Sequence, residues 1–201
     1  MREATGRVSV VPANEAGWQE IQAVFGSSGD PSRCWCQRFK MAPGESWASV
    51  GAPELARRLR TQTRCSDQHA AATTGLVAYL DEEPVGWCAV EPRPAYPRML
   101  RNNRVPWEGR SENKNDDSIW AVACFVVRKG FRRSGIASAL AEAAVDFARQ
   151  RGARALEAYP MTTKEALLGE LHVGTHAMFV AAGFAEVNRP SIRRAVMRVD
   201  F

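Results

Sequence analysis

A basic, glycine-containing loop is the part of this sequence whose residue types and spacing best support chemistry. Residues 128–135 read RKGFRRSG, and they lie between an apolar run that begins at Ser118 and a segment of helical spacing that ends at Gly152. A junction of strand and helix presents free backbone N–H groups and the positive end of the helix dipole at one point. With several cations beside these groups, the loop predicts a binding site for an anion, and phosphate is its natural occupant.

The helix after the loop would hold this site in place. Its expected apolar face comprises Ile136, Leu140, Ala144, Phe147 and Ala148. Ser134 is the predicted N-cap, Gly135 lets the backbone approach a ligand, and Gly152 ends the helix. The apolar run 153–159 then completes a right-handed β-α-β unit with parallel strands. The sequence contains neither the phosphate loop of nucleotide hydrolases nor the glycine-rich loop of dinucleotide folds.

The string R-x-x-G-x-A from Arg132 to Ala137 resembles the pyrophosphate loop of the GNAT superfamily, the acyl-CoA-dependent N-acyltransferases. Residues 75–90 resemble that family's hairpin of second and third strands, with the turn at 81–84, and residues 176–187 resemble its last helix, Gly-Phe and sixth strand. The resemblance covers most of the chain, and we expect an actinobacterial-type member. It implies an α/β fold with a central, splayed mixed sheet of about six to seven strands flanked by helices.

Length and composition indicate one compact domain, because 201 residues with 45% hydrophobic content can bury a substantial core. We expect a single GNAT-like domain over residues 1–201. Its predicted parts are an N-terminal strand, helices and acceptor-side loops (1–74), the hairpin (75–91), a long loop or flap (92–117), the acyl-CoA-binding β-α-β unit (118–159), and the last helix with the C-terminal strands (170–201). Within them, periodicity predicts a strand at Val8–Val11, helices at Asn14–Phe25 and Pro53–Thr63, and a final strand at Met197–Phe201.

Two irregular stretches carry large apolar side chains. The stretch 26–53 contains Trp35, Phe39, Met41 and Trp47, which either form an acceptor pocket or pack the first helices onto the sheet. The prolines and charges of the loop 92–117 argue against a core element, so we interpret this loop as a flap over the acceptor site or as a dimer contact.

Charge and cysteine content restrict the other function classes. The net charge of +5 is scattered among acids rather than gathered in a patch, which argues against nucleic-acid binding. The polar start and the lack of a run approaching roughly 18 apolar residues predict a cytoplasmic protein without membrane contact, either monomer or homodimer. The five cysteines suggest reduced thiols, with Cys88 and Cys124 in the core.

Three further cysteines allow two interpretations. Cys34, Cys36 and Cys65, together with His69, offer the ligand types of a structural zinc site, but the C-x-C spacing is too tight for the usual pattern. We therefore expect no metal and favour small, semi-buried thiols near the substrate side.

The resemblance implies that an amine attacks the thioester of acetyl-CoA, which serves as the acyl donor. In the family, backbone amides around the end of strand four bind pantetheine and polarise the acyl carbonyl, and amides of the loop hold the pyrophosphate. The donor-site residues implied here are Phe125, Val126, Val127, Arg132, Arg133, Ser134, Gly135, Ile136, Ala137, Ser138 and Phe179. Many members carry a tyrosine at the position of Phe179, and phenylalanine cannot donate a proton. Either the thiolate leaves unassisted, or another hydroxyl or water serves, or the chain is a non-catalytic acyl-CoA-binding sensor.

Candidate proton carriers lie further along the chain. Strand alternation places Glu157 and Tyr159 on one face of strand five, where they are a base and an acid or else a satisfied structural pair. His172 and His176 are four residues apart and would share a helix face, which suggests capping or packing more than metal binding. His172 is our third catalytic candidate, because histidine is the commonest acid–base side chain.

The acceptor is left open by the sequence. Candidates are a small amine metabolite, an aminoglycoside-like compound, and a lysine or N-terminus of a protein. A polyamine or aminoglycoside would need an acidic pocket, for which the flap region offers Glu91, Glu108, Asp116 and Asp117. A protein acceptor would need an open groove instead.

Overall fold

The computed structural model describes residues 6–102, 104–163, 165–167 and 169–201. These residues form a seven-stranded sheet of order β1-β2-β3-β4-β5-β7-β6, flanked by helices. The strands are β1 Val8–Pro12, β2 Leu76–Leu80, β3 Glu83–Pro92, β4 Ile119–Val127, β5 Ala155–Ala158, β6 Ala185–Ser191 and β7 Arg194–Asp200. The helices are α1 Trp18–Phe25, α2 Gly29–Cys34, α3 Trp47–Val50, α4 Ala52–Thr63, α5 Pro97–Asn102, α6 Ile136–Gln150 and α7 His176–Ala181. The expected mixed α/β sheet is thereby confirmed.

The sheet opens between β4 and β5. All neighbouring strands pair antiparallel except β4 and β5, which are parallel and joined through α6, as predicted. Their pairing runs only from Ile119 opposite Ala155 to Val122 opposite Ala158. Because β4 continues to Val127 while β5 ends at Ala158, no strand within the described ranges pairs with the last part of β4 on that edge. A gap therefore separates the two strands at their carboxyl ends.

Each face of the sheet has its own apolar cluster. On one face, α6 and α7 pack over Val122, Phe125 and neighbouring strand residues, and all five residues predicted for the apolar face of α6 are buried. On the other face, α1 and α4 pack over Trp87 and Val126. The sheet therefore separates a face covered by α6 from a face covered by the N-terminal helices.

Glycine sets how closely α6 approaches the sheet. A Cβ placed on Gly86 of β3 would lie 2.6 Å from the Cγ2 atom of Ile136 and 3.0 Å from a methyl group of Leu140. Such distances are far below van der Waals contact, so only glycine admits the first turn of the helix here. This contact fixes the position of the helix start.

Several predicted boundaries shift in the structure. The hairpin is confirmed, but β3 extends to Pro92, and α1 begins at Trp18 rather than Asn14. The last strand begins at Arg194 rather than Met197, and the irregular stretch 26–53 contains the short helices α2 and α3. In the part of the chain described above, no helix is long and apolar enough to cross a bilayer.

The prediction that the loop 92–117 has no core element is wrong. It begins with a 3₁₀ turn at Arg93–Ala95 and continues into α5, and the side chains of Arg93, Tyr96 and Met99 are fully buried or nearly so. Tyr96 and Met99 join the apolar cluster on the face of the N-terminal helices. Pro97 is tolerated because it occupies the first position of α5, where a helix needs no N–H donor.

Candidate active site

The loop after β4 is an open cradle of backbone N–H groups. It continues from β4 through a 3₁₀ turn at Lys129–Phe131, and Arg133 and Gly135 have left-handed φ angles of 62° and 83°. Among the described residues, no acceptor receives a hydrogen bond from the amides of residues 132–138. A Cβ on Gly135 would meet no atom within 4 Å, so the cradle faces open space. These free donors at the positive end of α6 suit a bound anion.

Ser134 does not cap α6, which corrects the sequence prediction. The N-cap is Gly135, and the Ser134 hydroxyl donates instead to the carbonyl of Phe131 within the loop. The left-handed backbone at Gly135 turns the chain before the helix begins, so Ser134 lies one residue too early to reach the first helical amides. The Ser134 side chain therefore stabilises the loop conformation and leaves those amides free for a ligand.

The end of β4 presents backbone donors to the gap. The amide of Arg128 donates to the carbonyl of Val85 on β3 at 3.0 Å, and strand alternation then turns the backbone groups of Phe125 and Val127 to the opposite edge. By the same alternation the Val126 amide faces β3, like that of Arg128, and the assignment of Val126 to the donor site stays a prediction. The Nε atom of Arg132 donates to the Val127 carbonyl at 3.2 Å. The amides of Phe125 and Val127 are thus the donors available at the gap.

Phe179 lies in the core beside the gap. Its ring is fully buried, with its centroid 5.9 Å from that of Phe125 and 5.0 Å from that of Phe184. The ring therefore packs beneath β4 on the α6 face and offers no polar group. Its assignment to the donor site stays a prediction.

Glu157 on β5 and Tyr159, which directly follows this strand, lie on the same side of the chain, as expected, and they are joined by a buried hydrogen bond. The Tyr159 hydroxyl donates to Glu157 at 2.8 Å. The same carboxylate accepts from Arg93 at 3.3 Å and Arg198 at 3.2 Å, and it also accepts from Arg110. Burial and the adjacent carboxylate raise the pKa of Tyr159, so its proton stays on the phenol.

These contacts favour the structural alternative for both residues. Glu157 is completely buried and both of its oxygens accept hydrogen bonds from arginine or tyrosine side chains, so neither oxygen is free to take a proton from an amine. Arg93 and Arg110 belong to the flap, and Arg198 belongs to β7. The Glu157 carboxylate thus ties the flap to the sheet. A catalytic role for Glu157 or Tyr159 stays a prediction.

His172 and His176 do not share a helix face. His172 lies in a 3₁₀ turn, Leu171–Val173, and Gly174, with a φ of 80°, separates this turn from α7. His176 starts α7 and pairs with Glu186 at 2.9 Å. The expectation of a common face is wrong because glycine breaks the helical path between the two residues.

His172 carries a free basic nitrogen. Its Nδ1 atom lies 2.8 Å from the carbonyl of Gly169, so Nδ1 holds the proton and Nε2 bears the lone pair. The Nε2 atom is buried and has no hydrogen-bond partner within the described ranges. Burial lowers the pKa of His172, and the charges of Arg38 and Arg194 lower it further, whereas the nearby carbonyl and Asp30 act in the opposite direction. The imidazole is therefore held neutral.

A cavity of about 1000 Å³ opens beside His172. Phe39 and Trp47 line it, so these two aromatics fit the acceptor-pocket interpretation, whereas Trp35 and Met41 are buried in the core. The residues that form its walls are Arg33, Arg38, Phe39, Ser46, Trp47, Ala48, Gly51, Ala52, Arg98, Asn102, His172, Val173 and Arg194. The 3₁₀ turn that carries His172 packs against β4, and Phe39 and Trp47 pack on the face of the N-terminal helices. The cavity thus lies across the sheet from α6.

Sequence reasoning missed the arginines of this cavity. Arg38 follows α2, Arg98 belongs to α5 and Arg194 opens β7, so no local spacing links them. The expected acidic pocket does not form around the cavity. Glu91 pairs with Lys40, Glu108 with Arg104 and Asp116 with Arg154, and among the described residues no aspartate or glutamate lines this cavity.

The cysteines lie in or near the core. Cys34, Cys36, Cys88 and Cys124 are buried, and Cys65 is half-buried. The Trp87 indole donates to the Cys36 sulfur at 3.3 Å, and a hydrogen bond with the Cys124 thiol is the main cause that lowers the pKa of Cys36. Outside the few undescribed positions, no group of three or more histidine, cysteine or acidic residues is arranged to hold a metal ion.

A profile of the acetyltransferase (GNAT) family matches residues 37–168. The chain belongs to this family. Members of the GNAT family use acetyl-CoA, which agrees with the open amide cradle at the start of α6. No curated protein matches this GNAT chain in sequence at a significant level. The expected actinobacterial type of the protein stays a prediction.

Solved structures show the same fold. A GNAT-family acetyltransferase from Streptococcus pneumoniae gives a TM-score of 0.52 at 16% identity, over 97% of this chain and 99% of that one. An N-acetyltransferase from Staphylococcus aureus Mu50 gives 0.52 at 14% identity, over 96% and 98%. The PaiA N-acetyltransferase from Thermoplasma acidophilum, in complex with coenzyme A, gives 0.50 at 9% identity, over 97% and 99%. At these identities the likeness concerns the fold.

Proposed function

We propose that this GNAT protein is an N-acetyltransferase that moves the acetyl group of acetyl-CoA to a primary amine by direct attack on the thioester. One observation carries the proposal: among the described residues, the amides of residues 132–138 at the start of α6 have no hydrogen-bond acceptor. On the other face of the sheet, His172 lines a cavity, and its buried Nε2 atom has no hydrogen-bond partner among those residues. The cradle suits the pyrophosphate of the donor, and the amides of Phe125 and Val127 suit its pantetheine arm and acyl carbonyl.

In this proposal, His172 is the general base. The acceptor ammonium must lose a proton before its nitrogen can form a bond to the acyl carbon, and the Nε2 lone pair of His172 takes that proton. The Gly169 carbonyl keeps the required tautomer, and burial keeps the ring neutral near pH 7. As the new C–N bond forms, the C–S bond breaks and its electron pair leaves on sulfur.

The leaving thiolate needs no acid from Phe179. A thiol has an ordinary pKa of about 8.5, so the thiolate is a fair leaving group in water. Phe179 has no proton to give, and the Tyr159 phenol already donates its proton to a hydrogen bond with Glu157. Both observations agree with a sulfur that leaves as the thiolate anion. We therefore assign proton uptake to His172 and no proton donation to either ring.

The donor site is tested by Gly135→Glu, with Gly152→Glu as the matched control. Both glycines have left-handed φ angles, 83° and 78°, and neither would place a Cβ within 4 Å of another atom. The two changes therefore introduce the same strain and charge at opposite ends of α6. Calorimetric titration with CoA is expected to show lost binding for Gly135→Glu only. Equal affinity in both variants would overturn the donor-site assignment.

Turnover is tested by thiol release from acetyl-CoA with a panel of amines. We expect release with at least one class of small amine and a loss of kcat on the order of 10²- to 10⁴-fold in His172→Gln, with CoA affinity preserved. Tight CoA binding without turnover for any amine would instead support the acyl-CoA-binding sensor. That alternative rests on the fact that a phosphate cradle specifies binding rather than catalysis.

A further inference from the structure

We propose that the acceptor is a small amine that also carries an anionic group, a carboxylate or a phosphate, held by the arginines of the cavity. This inference rests on the proposed function, because it names the substrate class for the same site. It starts from three guanidinium groups, those of Arg38, Arg98 and Arg194, which reach one cavity from three distant segments of the chain.

Three of the four arginines that line the cavity have no acidic partner among the described residues, and the fourth, Arg33, pairs with Asp30. Arg38 lies over the ring of Trp47 at 4.6 Å, and Arg98 donates to the sulfur of Met41. Arg194 donates to the carbonyl of Tyr159 at 2.7 Å. None of the three makes an ion pair with a described carboxylate, whereas arginines on α4, on the flap and on β7 do.

Of the three arginines, Arg194 has the clearest unsatisfied hydrogen-bond donor. Its Nε atom is buried and has no hydrogen-bond partner among the described residues, and burial lowers the pKa of its guanidinium. The charge of Glu170 opposes this lowering only in part. A half-buried cation without an ion-pair partner is costly, and the unpaired guanidiniums of Arg38 and Arg98 beside the same cavity add repulsion. A bound anion would satisfy the Nε donor and relieve both penalties. Guanidinium groups are also well shaped for carboxylate and phosphate, because they donate two parallel hydrogen bonds.

The position of the cavity assigns this anion to the acceptor rather than to the phosphates of the donor. The amide cradle that suits the pyrophosphate lies at the start of α6, and the cavity lies on the opposite face of the sheet. His172, the proposed base, lines the same cavity as the arginines. An acceptor can therefore place its anionic group on the guanidiniums and its amine at Nε2, while Phe39 and Trp47 contact its apolar part.

The same charges disfavour polycationic acceptors. A polyamine, an aminoglycoside or the lysine of a basic protein segment would bring positive charge into a cavity whose charged side chains are all basic. The structure thus reverses the electrostatic expectation that the acids near the flap suggested. Glu91, Glu108 and Asp116 are paired with basic side chains, and neither these three acids nor Asp117 line the cavity.

Matched amine pairs test this inference in the intact protein. The pairs are L-phenylalanine against L-phenylalaninamide and 4-aminobutyrate against putrescine, with 2-aminoethyl phosphate as the phosphate arm. We expect kcat/KM to be higher for the anionic member of each pair by about 10- to 100-fold, the range of a hydrogen-bonded charge contact. Comparison of 2-aminoethyl phosphate with the two carboxylate amines shows whether the cavity prefers phosphate or carboxylate. A preference for the amide and for putrescine would overturn the inference while leaving the proposed acetyltransferase in place.

Arg98→Gln locates the effect, and Arg57→Gln is the matched control. Arg57 lies on α4, pairs with Glu54 and does not line the cavity. We expect Arg98→Gln to raise KM for the anionic amine by about 10-fold or more and to reduce the preference for the anionic amine over its amide analogue, with KM for acetyl-CoA nearly unchanged. Arg98→Lys should restore part of the affinity. Equal KM values for wild type and Arg98→Gln would overturn the inference.

A binding measurement separates this inference from the proposed function. Calorimetric titration of the protein with L-phenylalanine in the presence of CoA needs no turnover. Binding that is weakened in Arg98→Gln would support the anion site even if no amine is acetylated. If neither L-phenylalanine nor 2-aminoethyl phosphate binds in this titration, the inference of an anion site is overturned.

Discussion

The substitution Glu157→Gln tests whether this carboxylate is an anchor or a base. Glu157 and Arg93 have side chains that are 0% exposed, and Arg110 and Arg198 are each 10% exposed, so the change removes the buried one of the two carboxylates, Glu157 and Glu112, that these arginines share. Breaking a buried pair from one side costs about 3–5 kcal/mol. Glutamine keeps one acceptor oxygen, which places the expected loss near the lower limit. For a domain of this size, about 3 kcal/mol corresponds to a drop in Tm of roughly 6–12 °C.

Thermal unfolding and steady-state kinetics together distinguish a structural role of Glu157 from a catalytic one. At 25 °C the folded variant should keep kcat within about 3-fold, since a structural role touches no reacting atom. KM for the acceptor should rise, because the anchored flap carries Arg98 at the cavity. Glu112→Gln is the control: Glu112 joins the same arginines but is 42% exposed, so its loss should cost less than about 1 kcal/mol. A kcat that is reduced about 100-fold at an unchanged Tm would refute the structural role and would identify Glu157 as the general base.

Two further predictions concern the base and the placement of α6. Because burial lowers the pKa of His172 below its ordinary value of 6.5, the acid limb of kcat/KM should have its midpoint below 6.5 and should vanish in His172→Gln. The unfolded chain takes up that proton first, so stability should also fall as pH drops below 6.5, measurable by denaturant titration. Gly86→Ala should cost about 1–3 kcal/mol and weaken CoA binding, since its methyl group would displace Ile136; unchanged affinity would contradict the packing argument.

The donor side of the site was predictable because it is local. The strand, the loop and the amphipathic helix follow one another in 118–152, and their periodicity and glycines can be read directly from the sequence. The error at Ser134 arose within that stretch, because a left-handed Gly135 shifts the cap by one residue. Propensity rules do not reveal such a shift, since serine and glycine are both favoured at caps.

The acceptor side was not predictable because its chemistry is assembled by tertiary packing. Arg38, Arg98 and Arg194 are separated by long stretches of sequence, and each looks like an ordinary surface arginine in its own segment. The buried ion pair between Glu157 and Arg93 was unpredictable for the same reason. The prolines and charges of the flap suggested that the flap is exposed to solvent, and only the Glu157 carboxylate on β5 explains why the Arg93 side chain is buried. Burial of a charge depends on its partner, which no single segment contains.

The two sites that we propose for donor and acceptor lie on opposite faces of the sheet, which bears on how such a protein can change in evolution. The donor cradle belongs to β4 and α6, which also carry the main apolar cluster, so substitutions there threaten the fold itself. The cavity proposed for the acceptor is lined by the stretch 33–52, the flap, the turn at Leu171–Val173 and Arg194 at the start of β7. Exchanging a few arginines on these segments would retune acceptor preference without disturbing the donor site. One scaffold can thereby give rise to paralogues with different acceptors and a common donor.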